Sequence, residues 1–227
     1  MRRESCLPDL YPVFLDLARK KVLLVGGGEV AFRKARSLLG SGCLLTVAAS
    51  STSPAFRDWL ARNSLEWSER PYRDGEAAAY FLVISATDDP EVNRRIHEDA
   101  SRAQRLVNVV DQPRLCNLHV PSVLKRDRLQ IAVSTAGACP ALARRLRLEL
   151  EERVSKRYGP LLERLAVLRE HYRRFLPTPA ARKKAIEEVV ASEAVRRFLD
   201  GEADLLDEML RRLGEGNSGD PGPADPG

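Results

Sequence analysis

The sequence predicts an α/β protein in which a parallel sheet covered by helices is followed by a mainly helical region. Three observations support this prediction. Short apolar runs alternate with amphipathic helical patterns through the first half of the chain, a glycine-rich turn follows the first run, and only helical patterns follow residue 139. Continuous apolar strands separated by helices are typical of a parallel sheet that is buried on both faces.

The individual elements of the first half follow from local pattern. Strands are predicted at residues 21–25, 44–49, 65–67, 81–86 and 106–110, and helices at 29–40, 54–61 and 90–103. The third helix shows the helical spacing most clearly, because Val92, Ile96 and Ala100 recur every four residues. These elements define a sheet domain that spans residues 1–113.

The pattern changes after residue 113. Strand-like segments at 118–124 and 129–134 lie close together without a helix between them, which predicts an antiparallel pair within a region at 114–150. A helix opens at Pro140, and an amphipathic helix with a possible interruption at Gly159-Pro160 spans 154–176. Helical faces continue to residue 213, so we expect a helical domain at 151–213 and a disordered Gly/Pro-rich tail at 214–227.

Composition excludes several protein classes. The 227 residues suffice for one large or two small domains, and 44% of them are hydrophobic and 30% charged. This balance is that of a soluble globular protein and excludes collagen-like and disulfide-scaffold classes. No apolar run approaches the ~18–20 residues of a membrane helix, and no signal peptide is evident. The four cysteines form neither a zinc framework nor a disulfide framework, so we expect the protein in the reducing cytoplasm.

The cysteine spacing and the distribution of charge limit the kinds of ligand that the sequence predicts. The four cysteines form no C-x-x-C pair and the three histidines lack metal-motif spacing, so no metal site is predicted. Residues 114–213 hold 21 basic and 14 acidic side chains, a net charge of +7, which favours an anionic partner. Nucleic acid is not expected, because no recognised binding motif or basic–aromatic run is present.

The glycine turn predicts a dinucleotide site. Gly26-x-Gly28-x-x-Ala31 follows a strand and opens a helix, as in the Rossmann-type G-x-G-x-x-G/A fingerprint. The backbone amides near Glu29 and Val30 would then face the phosphates. A strand–turn–helix junction without a ligand is the alternative.

The end of the second strand leaves the choice of cofactor open. It reads Ala48-Ala49-Ser50-Ser51, without the acidic residue that usually binds the ribose. Ser50 or Ser51 is the candidate for that bond, unless these serines only begin a loop. The motif by itself does not decide between NAD and NADP.

Several ordered motifs resemble the siroheme synthase N-terminal family. They are Tyr11–Leu15, Val25–Lys34, Ser85–Asn93, Asn108–Pro113, Val120–Ser122 and Ala132–Ala143. The resemblance implies NAD-dependent oxidation of precorrin-2 to sirohydrochlorin. It also implies a Rossmann domain followed by a dimerisation region and a helical domain, and hence a homodimer. Some members also insert ferrous iron as a ferrochelatase, which is a lyase activity.

The resemblance also implies site residues. Asp111 matches the Asp of the family's Asn-Val-Val-Asp motif and is the expected catalytic acid/base, although it could instead be a turn residue. Thr87 ends the fourth strand and is expected at the nicotinamide side of the cofactor, unless it only caps the following helix. For the tetrapyrrole carboxylates, the candidates are Ser134 and Thr135, in a loop that leads into a helix N-terminus, and Arg144 of the basic region, although Arg144 could instead belong to a solvated helix face. The family's usual Ser before Pro140 is Cys139 here.

A function of another class is also compatible with the glycine turn. A regulatory Rossmann module would bind NAD without turnover. Such a sensor needs neither Asp111 nor the segment at 134–143, so those residues favour the enzyme.

Overall fold

The structure is a computed structural model that describes residues 10–202. The chain divides into two compact units. Within the described residues, the first consists of 10–120 with Ser134–Cys139, and the second of Pro121–Val133 with 140–202. The helical face predicted at 205–213 and the tail predicted at 214–227 lie outside the described residues.

The first unit contains a five-stranded parallel sheet. Its strands are β1 (Lys21–Val25), β2 (Leu44–Ala49), β3 (Glu66–Glu69), β4 (Leu82–Ser85) and β5 (Leu106–Val109). They are arranged in the order β3-β2-β1-β4-β5, and every neighbouring pair is parallel. Because β1 and β4 are buried on both faces, their sequences are continuous apolar runs rather than alternating ones.

Three helices cover the two faces of this sheet. They are α1 (Glu29–Leu39), α2 (Pro54–Arg62) and α3 (Pro90–Arg102). Phe56 and Leu60 of α2 pack with Ala31 and Ala35 of α1 in one apolar cluster, whereas Ile96 of α3 belongs to a second cluster. The predicted parallel α/β domain is therefore confirmed.

The strand order places a crevice at one edge of the sheet. The chain proceeds outward from β1 to β2 and β3, and then returns to β4 on the other side of β1. Ligands of doubly wound sheets bind outside the carboxyl ends of the strands where the order reverses. Here that point lies beyond the carboxyl ends of β1 and β4.

The second unit combines a hairpin with helices. Strands β6 (Ser122–Arg126) and β7 (Leu129–Val133) form the predicted antiparallel pair. The helices are α4 (Pro140–Arg153), α5 (Tyr158–Phe175), α6 (Pro179–Val190) and α7 (Glu193–Leu199). Leu161, Leu168 and Phe198 form part of the core of this unit.

Two local predictions for these segments need correction. Strand β6 begins at Ser122 rather than at residue 118, because Leu118 is bonded to the first unit: its amide donates to Val107 and its carbonyl accepts from Asn108. Gly159 and Pro160 do not interrupt a helix but lie in the first turn of α5, where proline loses no intrahelical bond. A Cβ at residue 159 would lie 1.8 Å from Oδ2 of Asp127, so a larger residue there would require the exposed Asp127 side chain to move.

Among the described residues, no helix is both long enough and apolar enough to cross a membrane.

Candidate active site

A cavity of about 770 Å³ lies at the carboxyl ends of β1, β2 and β4. All seven residues predicted to bind the cofactor line it: Gly26, Gly28, Glu29, Val30, Ser50, Ser51 and Thr87. They come from three segments of the chain that the sheet brings together. Whether they contact a dinucleotide stays a prediction, but the structure assembles them around one space.

The three consecutive glycines at the cavity have different reasons to be glycine. Gly26 has a φ of +122°, and a Cβ there would lie 2.3 Å from the Ala86 carbonyl oxygen. A Cβ on Gly27 would lie 1.8 Å from the Ser51 carbonyl oxygen. At Gly28 the φ is −82°, and a Cβ would meet no protein atom within 4 Å.

The fold therefore requires glycine at 26 and 27 but not at 28. An open position at the start of a helix, facing a cavity, fits a site where a ligand approaches the backbone closely. The residues present thus fit a dinucleotide. When bound, NAD would supply the acceptor for a hydride.

The start of α1 provides donors for an anion. Gly28 is the N-cap residue, and no side chain caps this helix end. The first amides of a helix have no partner within the helix, and the helix dipole makes this end positive. Since the Glu29 side chain is exposed, its amide and that of Val30 are the candidates for binding a pyrophosphate.

The turn after β4 is held by a polar network. The Ser85 hydroxyl donates to Oδ1 of Asn93 at 2.6 Å, and the side-chain amide of Asn93 donates to the Thr87 carbonyl at 3.1 Å. The Asp89 carboxylate caps α3 by accepting from the amides of Glu91 and Val92. Thr87 is thereby fixed at the cavity, where its hydroxyl accepts from the Asp89 amide.

The cavity also includes residues that the sequence analysis did not single out. Thr52, Ser53, Pro71 and Tyr72 line it. Thr52 and Ser53 were within reach of sequence reasoning, because they continue the hydroxyl-bearing segment after β2. Pro71 and Tyr72 follow β3, and no local pattern marks them.

Tyr72 is held in the cavity wall by Asp99 of α3. Its hydroxyl donates to Oδ2 of Asp99 at 2.8 Å, and the Gly75 amide donates to the same oxygen at 2.6 Å. Burial, together with the neighbouring carboxylate, raises the pKa of Tyr72 well above its ordinary value, so the phenol stays protonated. Burial opposes the charge on Asp99, but the bonds from Gly75 and Tyr72 hold the pKa of its carboxyl below the usual value.

Asp111 lies two residues beyond the end of β5 and does not line the cavity. It is exposed and has a left-handed φ of 59°. Its charge interacts with that of Lys34 on α1, the helix that begins at the glycine turn. Burial and the nearby Arg33 lower the pKa of Lys34, whereas the carboxylate of Asp111 opposes that change.

Cys116 and Asn108 shape the chain around Asp111. The Cys116 thiol donates to the Val109 carbonyl at 3.2 Å, and burial raises the pKa of that thiol. Asn108 is buried and donates to the Leu118 carbonyl. These bonds fix the segment after β5, so the position of Asp111 is set by its neighbours rather than by its own side chain.

The other predicted substrate residues lie in separate parts of the chain. Ser134 and Thr135 belong to the first unit, and their hydroxyls accept from the amides of Ala136 and Cys139, both at 3.1 Å. Each hydroxyl keeps its proton available for a carboxylate acceptor. Arg144 lies exposed on α4 in the second unit.

Within the part of the chain that the structure describes, no group of three or more His, Cys, Asp and Glu side chains could hold a metal ion.

Comparison with known proteins supports the predicted resemblance. The family described as "Putative NAD(P)-binding" matches residues 13–122, and the family "Sirohaem biosynthesis protein central" matches residues 126–153. The N-terminal region is thus an NAD(P)-binding domain, as the glycine turn predicted.

Relatives and a solved structure extend this similarity. Siroheme synthase 1 of Klebsiella pneumoniae subsp. pneumoniae is 35% identical over 96% of this chain and 48% of its own length. The siroheme synthase of Azotobacter vinelandii is 36% identical over 96% and 49%. The chain therefore spans about half the length of these relatives. A solved structure titled "SirC, precorrin-2 dehydrogenase" matches with a TM-score of 0.75 and 25% identity, over 91% of this chain and 100% of that one.

Proposed function

Because the chain belongs to the siroheme synthase N-terminal family, we propose that it oxidises precorrin-2 to sirohydrochlorin with NAD as the oxidant. The proposal depends chiefly on one observation: the solved precorrin-2 dehydrogenase is matched over its whole length, including both the sheet domain and the helices. The open position at Gly28 supports it, since the fold itself gives no reason for glycine there.

Charge in the cavity favours NAD over NADP. Glu29, Asp88 and Asp89 line the cavity, and no Lys or Arg is found among the described residues of that lining. NADP carries an additional 2′-phosphate, which dinucleotide sites accommodate with a nearby Arg. Since the cavity offers carboxylates instead, the 2′-phosphate would lack a counter-charge.

Dehydrogenation removes a hydride and a proton from the substrate, and Asp111 is our candidate for the proton. It lies just past the carboxyl end of β5, in the sheet whose carboxyl edge carries the cofactor cavity. Its exposed carboxylate is open to a bound tetrapyrrole.

The tetrapyrrole carboxylates need donors and cations. We propose that the hydroxyls of Ser134 and Thr135 donate to them, because both oxygens already accept backbone amides and retain their protons for donation. Arg144 is the cationic candidate, since its guanidinium is exposed and can bind a carboxylate through two parallel bonds.

We further propose that residues 114–150 mediate homodimer formation. Strand β6 and helix α4 expose large apolar side chains, namely Val123, Leu142, Leu146 and Leu148. Of these, Leu142 and Leu146 lie one turn apart on the same side of α4. Exposed apolar side chains that are neighbours can mark an interaction surface, and we propose that a second copy of the chain covers them. We place the enzyme in the cytoplasm, a setting that suits the free thiols of Cys43, Cys116 and Cys139.

One assay tests the proposed function. Purified protein is mixed with precorrin-2 and NAD, and the absorbance of the tetrapyrrole and of NADH is followed with time. Coupled formation of sirohydrochlorin and NADH is expected. NAD binding without turnover would instead identify a sensing module. Adding ferrous iron to the same mixture tests for siroheme formation, in which Asp111 would receive the displaced pyrrole protons.

A further inference from the structure

The segment that follows β3 forms part of the cavity wall. Residues 70–75 leave the end of β3 and lead into a short 3₁₀ helix at Glu76–Ala79. Within this segment, Pro71 and Tyr72 line the cavity. Because residues 70–75 form neither a strand nor a helix, contacts with other parts of the chain determine where this wall lies.

Asp99 of α3 is the centre of these contacts. Its Oδ2 atom accepts two hydrogen bonds, from the Tyr72 hydroxyl at 2.8 Å and from the Gly75 amide at 2.6 Å. The Tyr72 hydroxyl in turn accepts from the Ala77 amide at 3.2 Å. The Asp99 side chain is only 10% exposed, and Asp99 is not among the described residues that line the cavity. One carboxylate outside the cavity therefore holds both ends of the stretch 72–75.

The other charged contacts of the segment are weaker attachments. Asp74 forms an ion pair with Arg95 of α3 at 2.6 Å, but the Asp74 side chain is 73% exposed, and exposed ion pairs contribute little. The ion pair between Arg70 and Glu76 joins the two ends of the segment to each other rather than to α3. Bonds donated to a charged and largely buried carboxylate are among the strong ones. Asp99 is therefore the principal attachment of the segment to α3.

The attachment of a cavity wall affects ligand affinity through the fraction of molecules in which the wall is formed. When a ligand binds only to that fraction, its apparent affinity is reduced in proportion. A wall that is fixed before the ligand arrives avoids this loss. Tyr72 is only 4% exposed and its hydroxyl is already bonded to Asp99 and to the Ala77 amide, so the hydroxyl fixes the wall rather than binding a ligand.

We infer that Asp99 is a positioning residue for NAD: it raises the affinity for the cofactor from outside the cavity, by holding Pro71 and Tyr72 in the cavity wall. Because β3 lies beside β2 in the sheet, this wall belongs to the β2 side of the cavity, which in such domains takes the adenosine half of the cofactor. The inference rests on the NAD-binding part of the proposed function and adds to it a residue of α3 that acts through its neighbours.

Calorimetric titration of the full chain with NAD tests this assignment, at a temperature at which every variant is folded. Asp99→Ala removes the acceptor of both hydrogen bonds, whereas Tyr72→Phe removes only the hydroxyl. We expect the NAD affinity to fall roughly threefold to thirtyfold in Asp99→Ala and by a smaller factor in Tyr72→Phe. The double variant should lose less than the product of the two single losses, because the two changes remove the same bond.

Ile96→Val is the matched control for a general loss of stability. Ile96 is a fully buried residue of α3 in the same apolar cluster as Tyr72. Shortening its side chain destabilises the fold but leaves the bonds to Asp99 in place, so the NAD affinity should not change. A loss as large in Ile96→Val as in Asp99→Ala would overturn the inference, and so would an unchanged affinity in Asp99→Ala.

Two further measurements locate the effect within the cavity. Amide hydrogen exchange at residues 70–79 of the cofactor-free protein should be faster in Asp99→Ala than in Ile96→Val, because the wall is released. ADP-ribose, which lacks the nicotinamide ring, should lose affinity in Asp99→Ala by the same factor as NAD. Unchanged exchange at residues 70–79, or an ADP-ribose affinity that does not fall, would contradict the positioning of this wall by Asp99.

The same measurements separate the two proposals. If the unmodified chain does not bind NAD, both proposals fail. If it binds NAD with the predicted dependence on Asp99 but does not oxidise precorrin-2, the proposed function fails and the assignment of Asp99 stands. If it oxidises precorrin-2 and Asp99→Ala binds NAD as well as the unmodified chain does, only the assignment of Asp99 fails.

Discussion

Replacement of Gly28 distinguishes a ligand-binding glycine from a structural one. In the variant Gly28→Asp, the added Cβ meets no protein atom within 4 Å, and the backbone φ of −82° suits any residue. We therefore expect the free energy of unfolding to change by no more than about 0.5 kcal/mol, the usual range for surface substitutions.

The effect of Gly28→Asp on NAD affinity should be much larger. A carboxylate about 4 Å from one phosphate charge is repelled by roughly 1 kcal/mol in a water-like dielectric and about 4 kcal/mol at a partly buried site. This range corresponds to an affinity loss of about fivefold to 1000-fold. The side chain would also occupy the space where the pyrophosphate approaches α1.

Calorimetric titration with NAD and thermal unfolding measure the two effects separately. Gly40→Ala is the matched control, because Gly40 also has open space around it and a φ of −70°, but it ends α1 away from the cavity. Gly26→Ala is the opposite control, since its Cβ would lie 2.3 Å from the Ala86 oxygen and the chain should be destabilised. An unchanged NAD affinity in Gly28→Asp would refute the reasoning.

Three further predictions concern catalysis, the cavity wall and assembly. Asp111→Ala should reduce the rate of precorrin-2 oxidation by about 10²–10⁴-fold, the usual contribution of a positioned acid/base, while NAD affinity is retained; a loss below tenfold would leave Asp111 as a turn residue. Asp99→Asn should destabilise the protein at neutral pH by about 1–3 kcal/mol, since the bonds that Tyr72 and Gly75 donate to a charged carboxylate are lost. The pKa of Asp99 is lowered in the folded state. Its contribution to stability is therefore present above the ordinary carboxyl pKa and is lost as the pH falls through the folded-state pKa. The stabilities of the two proteins should converge in acid, and a difference that does not depend on pH would contradict this account. Light scattering should show a dimer that Leu142→Arg, at a 47% exposed position of α4, converts to a folded monomer; a monomeric unmodified chain at micromolar concentration would rule this out.

The strands and helices of the first unit could be predicted because their signals are local. Pro90 at the first position of α3 and the four-residue spacing of Val92, Ile96 and Ala100 are written in adjacent residues. Boundaries shifted by only one or two residues where strands end. The predicted start of β6 was wrong because Leu118 is hydrogen-bonded to Val107 and Asn108 of β5. These residues lie about ten positions earlier in the chain, and no apolar pattern reveals such a contact.

The candidate site was predictable only in part, for the same reason. The sequence indicated the glycine turn, the hydroxyls at Ser50 and Ser51, and the residue Thr87, since each directly follows a predicted strand. It gave no sign of Tyr72, whose place in the cavity wall depends on Asp99 in a helix 27 residues further along. Nor could it indicate that the Thr52 hydroxyl lacks a partner, because burial is a property of the packed chain.

The sequence by itself determined the type of domain and the dinucleotide fingerprint, because periodicity and turn chemistry depend on neighbouring residues. Only the tertiary structure shows which positions of the turn need glycine to avoid a clash with another part of the chain. Gly26, Gly27 and Gly28 are indistinguishable as letters, but Ala86 and Ser51 lie against the first two and nothing lies against the third. That difference arises from segments 24 to 60 residues away in the chain, which meet only when β1, β2 and β4 pair side by side.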